Sequence, residues 1–209
     1  MKKLFVLSFL LVAIFSASHA ARADQLTLTG VSSSGFAGYA AGPYYGSLNG
    51  HSITMVCDSF DRHNSIGQTW QVSVNSFSDP NFLSNVLYGG QVNALAKYRQ
   101  AAWLYDQLLS HQSQAGDIQG AIWNLFNPTI TPDTLGSNVW LALAQAQNFA
   151  GYDFSKYRFL TPLDRTVNGQ QEMITTTPEP ATLALLGTGL AGVASTLRKR
   201  RRESQKAQS

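Results

Sequence analysis

The sequence predicts an exported α+β domain, an antiparallel β-sheet or sandwich with an inserted bundle of about three helices, set between two targeting segments. Three observations lead there. Apolar residues alternate in the first half of the domain, recur at spacings of three and four in the middle, and alternate again after residue 157. Glycine, asparagine and proline punctuate the alternating stretches as turns. An uncharged apolar run also lies near each end of the chain, outside the alternating and helical stretches.

The N-terminal run follows a short basic start, Met1-Lys2-Lys3, and covers residues 4–15. Small residues come next, at Ser18-His19-Ala20 and Ala21-Arg22-Ala23. That is the order of a secretory signal peptide, too short to anchor a protein in a bilayer. Residues 1–23 are therefore expected to be removed by signal peptidase, after Ala20 or Ala23. The exported chain keeps a single cysteine, Cys57, so it cannot hold an internal disulfide.

At the other end, Thr175-Thr176-Thr177-Pro178-Glu179-Pro180 is a stiff extended segment, because each proline fixes its own φ and pushes the preceding residue away from helix. Residues 181–197 are apolar or small without a charge, and Arg198-Lys199-Arg200-Arg201-Arg202 opens a basic tail that reaches residue 209. Seventeen residues is near the lower limit for a membrane-spanning helix, and the basic tail would stay in the cytoplasm. Pro178-Glu179-Pro180, the hydrophobic helix and the arginine cluster together resemble the PEP-CTERM sorting signal of Gram-negative bacteria, here residues 176–209. The resemblance implies a membrane-anchored intermediate, cut near Pro178 to Pro180 by an exosortase-type membrane protease. The domain would then pass to the cell surface or extracellular matrix.

Setting these segments aside reverses the charge. The whole chain is formally +3, but nine of its 15 Lys and Arg lie before residue 24 or after residue 197. Between residues 24 and 177, six basic residues face ten acidic ones, a balance near −4. No basic face for nucleic acid is left, and that class of function is excluded.

The exported domain, residues 24–175, is long enough for one real core. Residues 25–29 alternate as a half-buried strand, and residues 35–42 are small and aromatic, with Phe36 and Tyr39. Pro43-Tyr44-Tyr45-Gly46 and Leu48-Asn49-Gly50 read as turns, and residues 53–60 and 69–74 as strands. Helices follow at residues 92–110, at 116–126 up to Asn127-Pro128, and at 137–150 up to Gly151. Residues 157–162 and 170–174 form a last pair of strands around Asn168-Gly169.

Cys57 poses the main question about function. A lone thiol in an oxidising compartment is hidden in the core, paired with another molecule, or used. A cysteine hydrolase with His51, His63 or His111 lacks any signature around the cysteine. No cofactor is implied, and the histidines lack metal-ligand spacing.

Val56-Cys57-Asp58 on a strand, with Gln119-Gly120-Ala121-Ile122-Trp123 opening a helix some sixty residues later, resembles the thioester domains of bacterial surface adhesins. In that family the cysteine sulfur and the glutamine side-chain carbonyl join and ammonia is lost. The resemblance would make Cys57 the thiolate and Gln119 the acyl carbon, with Asp58, Asp117 and His111 as candidates for proton handling. The family's usual threonine before the glutamine is Ile118 here, and its aromatic two residues before the cysteine is Met55. The bond would be consumed by an amine on a surface partner, so the domain would be a single-use adhesive and not a turnover enzyme. The other class left open is a non-covalent structural or carbohydrate-binding component of the extracellular matrix, with exopolysaccharide as ligand and Tyr39, Tyr44 and Tyr45 as a sugar-stacking or partner surface.

Overall fold

The computed structural model describes residues 23–32 and 35–177. The signal peptide up to Arg22, the Pro178-Glu179-Pro180 motif and the spanning helix expected at residues 181–197 lie outside the described residues. Among the described residues no helix is long and apolar enough to cross a membrane.

The β-rich parts form six strands: β1 (Asp24–Val31), β2 (Tyr44–Leu48), β3 (His51–Cys57), β4 (Thr69–Asn75), β5 (Tyr157–Pro162) and β6 (Met173–Thr176). All pair antiparallel, and they close into a barrel in the order β1-β2-β3-β6-β5-β4. The α+β class holds, but the expected open sheet or sandwich is replaced by this closed ring. Leu26 of β1 pairs across to Leu48 of β2 on one side and to Trp70 of β4 on the other, so neither edge of β1 is free. Alternation along a strand reports which face is buried and says nothing about closure.

Strand β2 replaces the turn expected around Tyr44-Tyr45-Gly46. Gly46 is there for packing: a Cβ on it would lie 2.7 Å from the Thr27 carbonyl oxygen and 2.5 Å from the Met55 methyl. The real turn is Asn49-Gly50, where φ is +51° and +87°, the left-handed pair that a two-residue hairpin loop requires.

Between β4 and β5 the chain forms α1 (Phe82–Asn85), α2 (Ala94–Ser110), a short 3-10 turn (Gln112–Gln114), α3 (Ala115–Phe126) and α4 (Leu135–Ala146). Helix α2 starts two residues later than its apolar spacing suggests, because Asn93 takes φ +57° and leaves Val92 outside. Helix α4 starts earlier and ends sooner than expected. Thr134 caps its N-terminus, accepting from the Ser137 N–H, while Ser137 accepts in return from the Thr134 N–H. Phe149 leaves the helix and packs on Tyr152 and Phe154 instead. The last strand begins at Met173 and not at residue 170, since Gln171 and Glu172 turn inward to hydrogen-bond other segments.

Two cores result, and β3 separates them. Val56 packs among the helices with Tyr98, Ile118, Ile122 and Phe159. Met55 and Cys57, one residue either side, point into the barrel with Leu26, Trp70 and Met173. Trp123 is the helical residue that joins this second core, which brings α3 against the barrel interior. Because the contact at Gly46 is with backbone, Gly46→Ala is expected to cost about 1–3 kcal/mol. The check is a denaturant titration, in which the midpoint falls while the slope stays constant.

Candidate functional site

Cys57 is the last residue of β3 and is fully buried. Immediately after it the backbone turns back on the sulfur: Sγ donates to the Ser59 carbonyl and accepts from the Ser59 N–H, both at 3.3 Å. A fully buried thiol is not presented at the surface, so the fold does not offer Cys57 for pairing with another molecule by a disulfide.

Helix α3 brings Gln119 to this point. The residue is fully buried, and its Nε2 donates to the Cys57 backbone carbonyl across 62 residues of sequence. The helix can lie this close because the next residue is glycine: a Cβ on Gly120 would overlap the Phe36 ring. Phe36, Trp123 and Phe60 then close over the pair, with ring centroids 5.9 Å apart for Phe36 and Trp123 and 5.0 Å for Phe60 and Trp123. Two polar atoms here have no hydrogen-bond partner among the described residues, Gln119 Oε1 and Trp123 Nε1. An unpaired buried polar group costs about 1–3 kcal/mol.

Beside the sulfur lies a pair of fully buried carboxyl groups, Asp58 and Glu172. Ser59 links them, donating its hydroxyl to Asp58 Oδ1 at 2.8 Å and accepting the Glu172 N–H at 3.0 Å. Glu172 is surrounded by donors: the Leu87 N–H at 2.9 Å, the Tyr98 hydroxyl at 2.7 Å and the Thr161 hydroxyl. Asp58 Oδ2 has no donor among the described residues, and the contact of the two carboxyl groups is met by the proton that Asp58 retains. Burial, and then the adjacent Glu172, hold the Asp58 carboxyl well above the usual carboxylate range. Burial also pushes the Cys57 thiol far up, with Asp58 adding to it, while Trp123 and the Ser59 backbone pull the other way. Sequence reasoning missed Glu172. Its one signal was that it is the only glutamate between residues 24 and 177.

The structure brings Cys57, Gln119 and Asp58 together and leaves the other two candidates elsewhere. Asp117 accepts from the Thr134 hydroxyl at 3.1 Å, and its carboxylate fills the space a Cβ on Gly136 would need, so it anchors the start of α4. His111 is exposed at the end of α2, bonded to the Gln107 carbonyl and lying against Trp140. His51 and His63 are exposed as well, and the sulfur's hydrogen bonds run to Ser59. Among the described residues no group of three or more His, Cys, Asp and Glu is placed to hold a metal ion.

A cleft of about 300 Å³ reaches the outer side of this site. Trp123 and Phe60 form part of its wall, with Tyr39, Tyr44, His63 and Gln171 around them. Of the tyrosines expected to form a surface, Tyr39 is 43% and Tyr45 46% exposed, while Tyr44 is buried and donates to the Ala40 carbonyl.

The family model of the PEP-CTERM protein-sorting motif matches residues 176–202. The chain thus carries the signal of an exported protein that an exosortase-type membrane protease sorts. No curated protein and no solved structure matches it.

Asp58 makes stability depend on pH in a defined direction. Its folded-state pKa lies above its ordinary value of 3.8, so its contribution is complete below that pH. The contribution declines as pH rises toward the folded-state pKa, by roughly 1 kcal/mol per pH unit. Asp58→Asn is expected to flatten this slope in urea titrations from pH 4 to 8, whereas an unchanged slope would place the loss on another group.

Proposed function

We propose that this exported, exosortase-sorted protein attaches covalently to an amine on a surface partner through an internal thioester between Cys57 and Gln119. The observation that carries the reading is that the two residues are fully buried together, with the Gln119 amide nitrogen donating to the Cys57 backbone carbonyl. A primary amide is a weak electrophile, so only close, oriented contact makes thiol attack productive; oriented intramolecular reactions gain effective concentrations of roughly 10⁵–10⁸ M.

The raised pKa of Cys57 decides how the proton must leave. A free thiolate is scarce in this site, so the thiol has to give up its proton as the S–C bond forms. Asp58, held in the carboxylic acid form beside Glu172, suits that exchange: one oxygen receives the thiol proton while the carboxyl proton passes to the departing nitrogen. The balance is thiol plus amide giving thioester plus ammonia. The partner's amine later attacks the same carbon, Cys57 regains its proton, and an isopeptide bond remains.

A second reading draws on the cleft beside the site. Its aromatic wall with His63, Asn64 and Gln171 at hand suits stacking and hydrogen bonding to a saccharide, which favours a non-covalent matrix role.

Intact mass of the processed protein, isolated without reductant, separates the two. The covalent reading expects a mass one ammonia below the sequence, a thiol silent to alkylation even after denaturation, and a methylamine adduct at Gln119. The full sequence mass with a freely alkylated Cys57 on denaturation would remove it. Sorting has its own check: replacing Pro178-Glu179-Pro180 by alanines is expected to keep the chain in the membrane fraction with peptides from residues 181–209 still attached.

A further inference from the structure

The thioester reading leaves one group near the reacting atoms without a task. Trp123 is 2% exposed, yet its indole N–H makes no hydrogen bond of good geometry among the described residues, although it lies close enough to the Cys57 thiol to favour the charged form. Trp123 lies one helical turn after Gln119, on the same face of α3, and Gln119 Oε1 is an equally buried acceptor without a donor. Both residues meet Cys57: Gln119 through its amide, Trp123 through the shared barrel core. An unpaired buried donor and an unpaired buried acceptor one helical turn apart are costly to folding and call for an explanation.

We propose that the Trp123 indole N–H is the oxyanion donor of this site, stabilising negative charge on Gln119 Oε1 in both the formation and the aminolysis of the thioester. When the Cys57 sulfur bonds to Gln119 Cδ, the carbonyl π electrons move onto Oε1 as the carbon becomes tetrahedral. Those electrons return when the Cδ–Nε2 bond breaks and ammonia leaves with the former thiol proton. Aminolysis repeats the cycle: the amine nitrogen bonds to Cδ, charge again collects on Oε1, and the C–S bond breaks with the amine proton ending on Cys57. A donor that serves this state need not bond the resting amide, because the oxygen shifts as the carbon changes from planar to tetrahedral. The unpaired ground state of both atoms is what such a donor leaves behind. Trp123 also favours the charged form of Cys57, as a donor near the reacting centre does.

The inference rests on the thioester reading, and Trp123→Phe tests it, since phenylalanine keeps an aromatic ring and removes the N–H. A purely structural Trp123 loses only packing by this change. As an oxyanion donor it carries about 10²–10³-fold in rate. The processed wild-type protein and the variant are compared by the fraction with the ammonia deficit at fixed times after synthesis. The methylamine rate of the matured fraction is then measured, alongside the melting temperature. The expected result is slowing of both steps by about that factor with the fold retained. Should the phenylalanine variant fail to fold, biosynthetic replacement of Trp123 by 3-benzothienylalanine keeps the ring shape without the N–H, and the same slowing is expected. Equal rates in a folded variant overturn the role of Trp123 alone. A wild-type protein at full sequence mass overturns the thioester reading and this inference with it.

Discussion

The close approach of α3 to the end of β3 is the constraint on which the rest of the structure depends. It is made by the Gln119 amide on the Cys57 carbonyl and is possible because Gly120 lets Phe36 lie against the helix backbone. A helix packed this tightly on a strand end needs a strand that does not move. The closed barrel supplies that, since β3 is bonded along both sides by β2 and β6. The capped start of α4, tied to Asp117, fixes the outer side of the same helix.

Polar groups near Cys57 are satisfied unevenly. Among the described residues, Gln119 Oε1 and Trp123 Nε1 are buried around Cys57 without a hydrogen bond of good geometry, and atoms of Arg62, Asn64, Trp70 and Asn124 are left in the same state. At about 1–3 kcal/mol each, such groups are a large charge against a domain whose net stability is about 5–15 kcal/mol. Glu172 shows the opposite treatment a few bonds away, with a donor on each oxygen. The core that satisfies one carboxylate fully thus leaves the Gln119 and Trp123 atoms open near the thiol.

Much of this was legible in the residues. The change of apolar period located the three longer helices and five of the six strands but not the short Phe82–Asn85 helix, and Gln119 and Cys57 stood out by residue type and setting. Strand β2 was hidden because Gly46 and its tyrosines resemble turn material, and only the packing of Met55 and Thr27 explains the glycine. Barrel closure was hidden because pairing partners are not encoded in alternation. Glu172 was hidden for a similar reason: its donors come from residues 87, 98 and 161, distant in sequence. Asp117 and His111 stood near Gln119 in sequence, but the helix geometry turns them to α4 and to the surface.

Export gives the single thiol its context. Outside the cell a free cysteine is at risk of oxidation, and burial together with a bond to Gln119 would protect it until an amine arrives. A diffraction structure of the processed protein, crystallised without reductant, tests that account most directly. The account predicts continuous density from Cys57 Sγ to Gln119 Cδ and no nitrogen left on the Cys57 carbonyl. An intact Gln119 amide still donating to that carbonyl, beside a separate thiol, would contradict it.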